Sequence, residues 1–361
     1  MVAERPATLA PEAYYSDEWF ASEMEKVFGT QWIMLAFTED LPDIGAYVTG
    51  TIGFEPVIVT RSEEGIRAFI NVCRHRGMPL AVGSGHLGKR LRCPYHGWEY
   101  AIESGALQKV PRSKSHFPDL DLNGFGLVPV ACEVDRGMIF VSLAKSPIEF
   151  DRYSSDYQTY TCPIELQSVE TVYQKRVILN CNWKLLVENH VDLIHLWYLH
   201  PNSLRMYDHG KIQQRQVGRH WVSSERLKAG GFGELRIPER GLPLLPGLSD
   251  RELSTQRANL FFPNLLETSS PTRLGTYQAV PLDATTTELR IRVRGAIGER
   301  MTEYGIERLL AVLVDEDGRA MEALQTATKS RYFPDTCEAS EKESSISLFR
   351  AHIHDLMRTP S

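Results

Sequence analysis

The stretch Asn71–Tyr100, NVCRHRGMPLAVGSGHLGKRLRCPYHGWEY, constrains this chain more than any other. It reads Cys73-x-His75, then seventeen residues, then Cys93-x-x-His96. Each short pair offers one thiolate and one imidazole. Two soft thiolates suit one iron, and two neutral imidazoles suit a second. Gly77, Pro79, Pro94 and Gly97 flank the pairs. Such residues build tight loops, whose backbone N–H groups can hydrogen-bond cluster sulfurs. A structural zinc site also takes two Cys and two His. Zinc fingers, however, usually group Cys with Cys and His with His. Here each pair is mixed, and the second runs on into Gly97 and Trp98.

Composition narrows the classes around that centre. A chain of 361 residues has room for two domains and a large core. A hydrophobic fraction of 42% and a charged fraction of 24% are ordinary for a globular protein. A net charge of −6 and a pI near 6.0 argue against nucleic acid as a partner. No apolar run approaches the roughly 20 residues of a membrane span. The segment MVAERPATLAPEAYY lacks a charged-then-apolar signal pattern, so a cytoplasmic location is the default expectation. Six cysteines in a chain this long are not a disulfide framework, and Cys132, Cys162, Cys181 and Cys337 read as reduced core thiols.

Read in order, residues 11–32 suggest a helix, with Ser16 as cap and Trp19, Phe20, Met24, Val27 and Phe28 at helical spacing. From Leu35 to Leu143 the pattern changes to short β runs broken by Gly and Pro, which suits a small antiparallel sandwich. Residues 144–160 read as a polar and aromatic connection, with the domain boundary near 150. Asn182–Leu199 reads as one helix. Residues 210–255 read as irregular, a candidate cover for an active site. NLFFPNLLETS, TRLGTYQAVPL and TELRIRVRGAI alternate as an antiparallel sheet, and 303–330 and 340–358 read as helices. The expected organisation is a helical segment at 1–34 packing with the catalytic domain, a cluster domain at 35–150 and the catalytic domain at 151–361.

The segment ENHVDLIHLWYLHP, Glu188–Pro201, carries a second constellation. Asp192 and His195 are three apart and share a helix face, with Glu188 four before Asp192. His200 lies about 140° further round an ideal helix than His195. Pro201 pushes His200 out of α geometry, so fraying at Tyr198–His200 brings the two imidazoles together. Two His and one carboxylate, with positions left open, are the ligand set of non-heme Fe(II) oxygenases. The carboxylate candidates are Asp315, Glu316 and Asp317 in LLAVLVDEDGRAMEALQ. His190 reads as hydrogen-bonded structure, and His86, His116, His209, His220, His352 and His354 as surface or supporting histidines.

Taken together, the two constellations resemble the Rieske non-heme iron oxygenase α subunits of the aromatic-ring-hydroxylating type. The first matches C-x-H…C-P-x-H-G-W. The second matches D-x-x-H-x-x-x-x-H, with a distant acidic pair ahead of a helix bearing Glu and Gln. The resemblance covers nearly the whole chain. It implies an α+β fold: a small all-β Rieske domain and a larger catalytic domain with an antiparallel, helix-flanked sheet of helix-grip or START-like type. It implies a [2Fe–2S] cluster on Cys73, His75, Cys93 and His96, with Trp98 and Tyr95 packed over it. It implies a mononuclear Fe(II) on His195, His200 and Asp317, with Glu316 as the fallback ligand. Asp192 would be the acid that bridges to His96, or His75, of a neighbouring subunit.

The activity implied is that of a terminal oxygenase. It would use O₂ and NAD(P)H electrons through a ferredoxin or flavin reductase to hydroxylate an aromatic or aromatic-acid substrate. The alternative is an N- or O-demethylase or monooxygenase of a non-aromatic or methylated small molecule. A non-catalytic electron-transfer protein would leave everything after residue 150 unused. The chain has no Gly-rich dinucleotide fingerprint, so the reductase is a separate partner. The implied assembly is a homotrimer, with β subunits as an option, and neither nucleic acid nor membrane as a partner. Trp197, Leu204, Met206, Phe261 and Phe262 suit either an apolar pocket or core. Arg205, Arg215 and Arg273 are candidates to meet a substrate carboxylate, and the sequence selects none of them.

Overall fold

The computed structural model describes residues 8–162, 164, 168–204, 207–226, 243–333 and 343–359. Arg205, Met206, Cys337 and residues 227–242 of the candidate cover segment lie outside the described residues. The chain divides into two compact units, Glu23–Phe150 on the one hand and Met1–Ser22 with Asp151–Ser361 on the other.

The first unit is all β apart from short helices. Its strands are β1 Ile33–Phe37, β2 Ala46–Ile52, β3 Glu55–Ser62, β4 Gly65–Ile70, β5 Ser84–His86, β6 Arg90–Arg92, β7 Glu99–Ala101, β8 Leu107–Lys109, β9 Pro129–Asp135 and β10 Met138–Ser142. Seven form an antiparallel sheet in the order β1-β10-β9-β4-β3-β2-β5, and β6-β7-β8 form a second. The run MIFVS is buried at every position, as suits a strand flanked on both sides and covered on both faces. The two sheets present the ligand loops. Asn71 leaves β4 and staples the first, its Oδ1 accepting the N–H of Leu80 at 3.0 Å and of Ala81 at 3.3 Å. The second loop is the tip of the β6–β7 hairpin, closed by the Arg92–Glu99 pair.

In the second unit seven strands pair antiparallel throughout, in the order β11-β17-β16-β15-β14-β13-β12. They are β11 Val169–Leu179, β12 Gln213–Val217, β13 His220–Arg226, β14 Thr255–Phe261, β15 Leu265–Ser269, β16 Leu274–Asp283 and β17 Thr286–Ala296. Register aligns Ser223, Ala258, Thr268, Gly275 and Val293 in one row across five strands. Alternation puts their side chains on one face. Trp221, Leu260, Leu266, Tyr277 and Ile291 form the parallel row two residues along.

The helices of this unit include α1 Asp17–Glu23, which crosses the division, then α3 Phe150–Gln158 (after a short α2, Ser113–His116, in the first unit), α4 Trp183–Val191, α5 His195–Tyr198, α6 Glu303–Leu310, α7 Asp317–Ala327 and α8 Ser344–Arg358. Asn182 caps α4, its Oδ1 accepting the Lys184 N–H at 3.0 Å. Between α6 and α7 the helix widens into a π turn, Ala311–Glu316.

Three readings of the sequence need correction here. Residues 150–158 are a helix rather than open connection. Residues 11–32 are a 3₁₀ turn, α1 and a π turn rather than one helix. The expected helix Asn182–Leu199 is two, and it breaks at Asp192, not at Tyr198. Asp192 is extended (φ −72°, ψ 124°), and its Oδ1 accepts the Ile194 N–H at 2.7 Å. A short carboxylate bonding the backbone two residues on competes directly with the helix. Asp192 and His195 therefore meet across a turn rather than along a helix face. Glu188 turns elsewhere: it takes bonds from Arg350 at 2.9 and 2.7 Å and from the Tyr14 hydroxyl at 2.6 Å.

Candidate metal centres and substrate cavity

The two Cys/His loops are built alike. In the first, the Gly77 N–H bonds the Cys73 carbonyl at 2.9 Å and the Cys73 N–H bonds the Met78 carbonyl at 2.9 Å. In the second, Gly97 and Cys93 repeat this with Cys93 and Trp98 at 3.0 and 2.8 Å. Both turns need a left-handed residue four after the cysteine, and Gly77 (φ 73°) and Gly97 (φ 70°) supply it. Cys73 and Cys93 are buried in one apolar cluster with Leu91, Trp98 and Tyr100. The rings of His75 and His96 approach to 4.6 Å.

Trp98 is buried and stacks on His75 at 4.9 Å with planes 7° apart. Tyr95 is 58% exposed and lies against His96 at 3.9 Å, so Trp98 is the cover and Tyr95 only flanks. The sequence reading missed Tyr100. Its hydroxyl accepts the Arg74 N–H at 3.1 Å and lies 3.2 Å from Cys73 Sγ. The residues fit a cluster: the thiols converge, and the buried Nδ1 of His75 has no partner within the protein.

The structure brings His195, His200 and Asp317 together, their ligand atoms all within 4.8 Å of one another. Asp317 Oδ1 lies 3.0 Å from His200 Nε2 and 3.7 Å from His195 Nε2. That oxygen is buried and has no aligned donor, so a cation between the three groups suits it. Burial pushes the His195 imidazole down to about 4, so it stays in the neutral, ligating form. Burial works against the Asp317 charge, but His200 and His195 outweigh it and hold the carboxyl below its ordinary value.

Glu316 does not compete for this position. Its Oε2 lies 2.6 Å from His200 Nδ1, on the opposite side of the ring, and 2.6 Å from the Ser203 hydroxyl, which donates to it. Asp315 is exposed and pairs with Arg319 at 3.1 Å. Asp192 Oδ2 stands 3.7 Å from His195 Nδ1. Each imidazole thus turns Nε2 inward and faces a carboxylate with Nδ1, a common arrangement around metal-bound histidine. Asp192 itself is half-buried, and burial raises its carboxyl above the usual range.

A cavity of about 280 Å³ opens onto this triad. One wall is apolar, with Leu196 on α5, Leu309 on α6, Leu313 on the π turn, and Leu193 and Leu204 on the segments that flank α5. The other is the row Ser223–Ala258–Thr268–Gly275–Val293. Gly275 is required there: a Cβ would stand 2.3 Å from Tyr277 Oη and 2.5 Å from Thr268 Oγ1.

Of the candidate pocket residues, Leu204 lines the cavity. Trp197 does not; it packs on His209 at 5.6 Å. Phe261 and Phe262 are core, packed on His220 and Phe349. Among the arginines, Arg215 bonds Tyr160 at the surface, whereas Arg273 is 8% exposed and lines the cavity. His190 bonds the Asn259 carbonyl at 3.0 Å, as expected of a structural histidine. His209 and His220 are buried, not surface residues; His209 pairs with Glu225 at 2.8 Å, and His220 accepts the Phe262 N–H at 3.0 Å.

Cys/His loops under Trp98 and a two-histidine, one-carboxylate cavity on a helix-backed antiparallel sheet define an oxygenase-type pairing of cluster and mononuclear iron. Residues 31–130 match the Rieske [2Fe–2S] domain family, and residues 164–359 match the ring hydroxylating α subunit (catalytic domain) family. The chain belongs to these Rieske ring-hydroxylating α subunits, which carry a [2Fe–2S] cluster and a mononuclear iron.

It is 37% identical over 203 residues to the glycine betaine monooxygenase oxygenase subunit of Chromohalobacter salexigens, a match covering 55% of this chain and 45% of that one. It is 26% identical over 247 residues to the carnitine monooxygenase oxygenase subunit of Acinetobacter pittii, covering 67% and 64%. The chain thus spans less than two thirds of either relative. A solved quaternary ammonium Rieske monooxygenase has the same fold, with a TM-score of 0.82 over 97% of this chain and 95% of that one at 20% identity. No described helix is long and apolar enough to cross a membrane.

Proposed function

We propose that this chain is the terminal oxygenase of a reductase-linked Rieske system that monooxygenates a non-aromatic, methylated small molecule, oxidatively removing an N- or O-methyl group. The observation that carries this reading is the His195–His200–Asp317 triad opening onto a leucine-walled cavity. The similarity to glycine betaine and carnitine oxygenase subunits supports a non-aromatic substrate over the aromatic one that the sequence first suggested. Among the described lining residues only Tyr207 and Tyr277 carry a benzene ring, so little in the wall favours stacking an aromatic substrate.

In this reading His195, His200 and Asp317 hold the iron, and Cys73, Cys93, His75 and His96 hold the cluster. When bound, the iron supplies O₂ activation and the cluster supplies single electrons. Asp192 and Glu316 orient the two imidazoles through Nδ1. The leucine wall excludes water from the reacting carbon. Asp192 is also the proposed link to His96 of a neighbouring copy in a head-to-tail trimer, with a ferredoxin or flavin reductase as the outside donor. Support for the link is that Asp192 faces His195 while His96 lies at the protein surface.

The test is a substrate panel with cluster- and iron-loaded protein, a reductase and NADH. A hydroxylated N- or O-methyl carbon leaves as formaldehyde, so one formaldehyde per NADH is expected from a methylated amine or ether. A cis-diol from an aromatic ring, with no formaldehyde from any methylated compound, overturns the reading.

A further inference from the structure

We infer that the substrate carries a carboxylate and that Arg273 anchors it at the end of the cavity away from the iron. This rests on the proposed oxygenase reading and adds the substrate's head group.

Strand β15 ends at Ser269 and β16 begins at Leu274, a paired position. Residues 270–273 form the hairpin tip between them, closed by the Ser270 N–H to Arg273 carbonyl bond at 2.9 Å. Ser269, Ser270 and Arg273 all line the cavity. The guanidinium lies over the backbone of Gly295: a Cβ built there would stand 2.9 Å from Nη1 and 3.2 Å from Cζ. Gly295 is two residues beyond Val293 on β17, so it shares the cavity face.

Helix α4 ends beside the triad, where its His190 feels the charges of Asp317 and His195, and it touches the sheet at Asn259 through His190. Asn259 is in register with Arg292 by way of Glu267 and Thr276. Three residues, roughly 10 Å, therefore separate the iron's level from the guanidinium along β17. The space between is mostly apolar, with Ala258, Leu266 and Val293 on the sheet and leucines opposite, and the hydroxyls there are taken, Ser223 by the Ala258 carbonyl and Thr268 by Tyr277.

The far end is polar in other ways too. Gln256 lies opposite Glu225 in register, and both line the cavity. The Gln256 Oε1 is buried and has no partner within the protein. Turning that amide over presents its NH₂ instead. The Ser269 hydroxyl is also buried and without a partner. Glu225 is occupied by His209 at 2.8 Å. Arg273 already pairs with Glu299, at 3.5 Å, and its Nη1 donates to the Thr272 carbonyl at 2.7 Å; five donors in a fixed fork let one guanidinium serve a second carboxylate beside these. The cavity is thus amphiphilic: iron at one end, an apolar middle, and hydroxyl, amide and guanidinium at the other. It suits a chain-like acid whose oxidised methyl group is several bonds from its carboxylate.

The experiment is equilibrium binding, by calorimetry, to protein loaded with cluster and iron. The probes are hexanoate against hexanamide, and 5-(dimethylamino)pentanoate against its primary amide. A charge-assisted pair in a buried site predicts that each acid binds at least about tenfold more tightly than its amide. Arg273→Gln should abolish that preference, weakening the acids about tenfold or more and the amides less than threefold. Arg273→Lys should keep part of it. Gly295→Ala leaves the charge in place and meets chiefly the flexible end of the side chain, with Val172 Cγ1 at 3.2 Å giving slightly, so it should fold and still lower the preference.

Equal binding of acid and amide to the unaltered protein overturns the proposal without any variant. So does a preference that survives Arg273→Gln, or an equal loss for acids and amides in that variant, which marks a purely structural arginine. Hexanoate has no N- or O-methyl group. If it binds in the Arg273-dependent way while methylated compounds are not turned over, the anchor stands and the demethylase reading fails. If methylated compounds without a carboxylate are turned over best, the anchor fails and the demethylase reading stands.

Discussion

Removing one oxygen atom beside the cluster should change its potential by a measurable, calculable amount. Tyr100 is fully buried, with Oη 3.2 Å from Cys73 Sγ and 3.1 Å from the Arg74 nitrogen. The Arg74 N–H uses Oη as an acceptor, which leaves the phenolic proton to point at sulfur. Burial, and then the neighbouring Cys73, hold the Tyr100 hydroxyl well above its ordinary pKa, so it remains a donor at every working pH. Reduction puts one more negative charge on the cluster, and a donor to sulfur stabilises that form more. A net hydrogen bond is worth about 1 kcal/mol. For a one-electron couple, 59 mV corresponds to a tenfold change, or about 1.4 kcal/mol. Tyr100→Phe keeps the ring in place and should therefore lower the potential by about 40 mV. Tyr95→Phe, at an exposed ring that touches His96 only from outside, is the control and should leave it within about 10 mV. The assay is a dithionite titration with redox mediators, followed by the EPR signal of the reduced cluster. An intact cluster in Tyr100→Phe with an unchanged or raised potential refutes the reasoning.

The remaining expectations concern the catalytic unit. Asp317→Ala should lose mononuclear iron and keep the cluster spectrum, whereas Glu316→Gln should retain iron with about 10- to 100-fold weaker affinity, read as metal content after dialysis against a chelator. The reverse result makes Glu316 the ligand. Asp192→Asn should keep both metals yet slow reoxidation of the reduced cluster by O₂ and substrate at least tenfold in rapid mixing; reoxidation at the unaltered rate, or an active monomer in sedimentation, rules out the inter-subunit link. Arg350→Met strands the buried Glu188 carboxylate and should cost about 3–5 kcal/mol in urea denaturation followed by circular dichroism, with Glu188→Gln added to it restoring most of the loss. His220 is held neutral by burial, its pKa pushed down to about 4. The unfolded chain takes up that proton first as pH falls, so the contribution of His220 to stability is intact above about 6.5 and declines by about 1.4 kcal/mol per unit down to about 4. His220→Gln should flatten that slope in denaturation curves at pH 7, 5.5 and 4.5.

The proposed metal ligands were the most legible part of this chain, because their chemistry is local. A Cys-x-His pair with a glycine two residues on, as at Cys73 and Gly77, declares both the donor and the loop that presents it. His195 and His200 were legible for the same reason, but the route that brings them together was not. Periodicity favoured a continuous helix through Asp192. A single side-chain bond to the Ile194 N–H outweighs that periodicity. The choice among Asp315, Glu316 and Asp317 was open because spacing alone cannot tell an inward carboxylate from one that backs His200. The partners of long sequence separation were harder still. Tyr100 on Cys73, Glu316 on Ser203 and Arg350 on Glu188 are fixed by topology, and no local pattern announces them. Arg273 was one of three equal arginines until the β15–β16 hairpin put it over Gly295.

The π turn at Ala311–Glu316 has an evolutionary consequence. A π turn is one residue longer than the α turn it replaces, so it can arise as an insertion that a continuous helix absorbs. Deleting one residue from it would leave a well-formed helix, but would rotate everything on one side of the deletion by about 100° relative to the other. Glu316 and Asp317, which grip the two nitrogens of His200 from successive positions, would swing away together. The pair is therefore positioned as a unit. Length variation in this helix should dismantle the site, while substitution at Glu316 alone should alter only the hold on His200 Nδ1. The spacing from Glu303 to Asp317 should therefore be among the last features to drift.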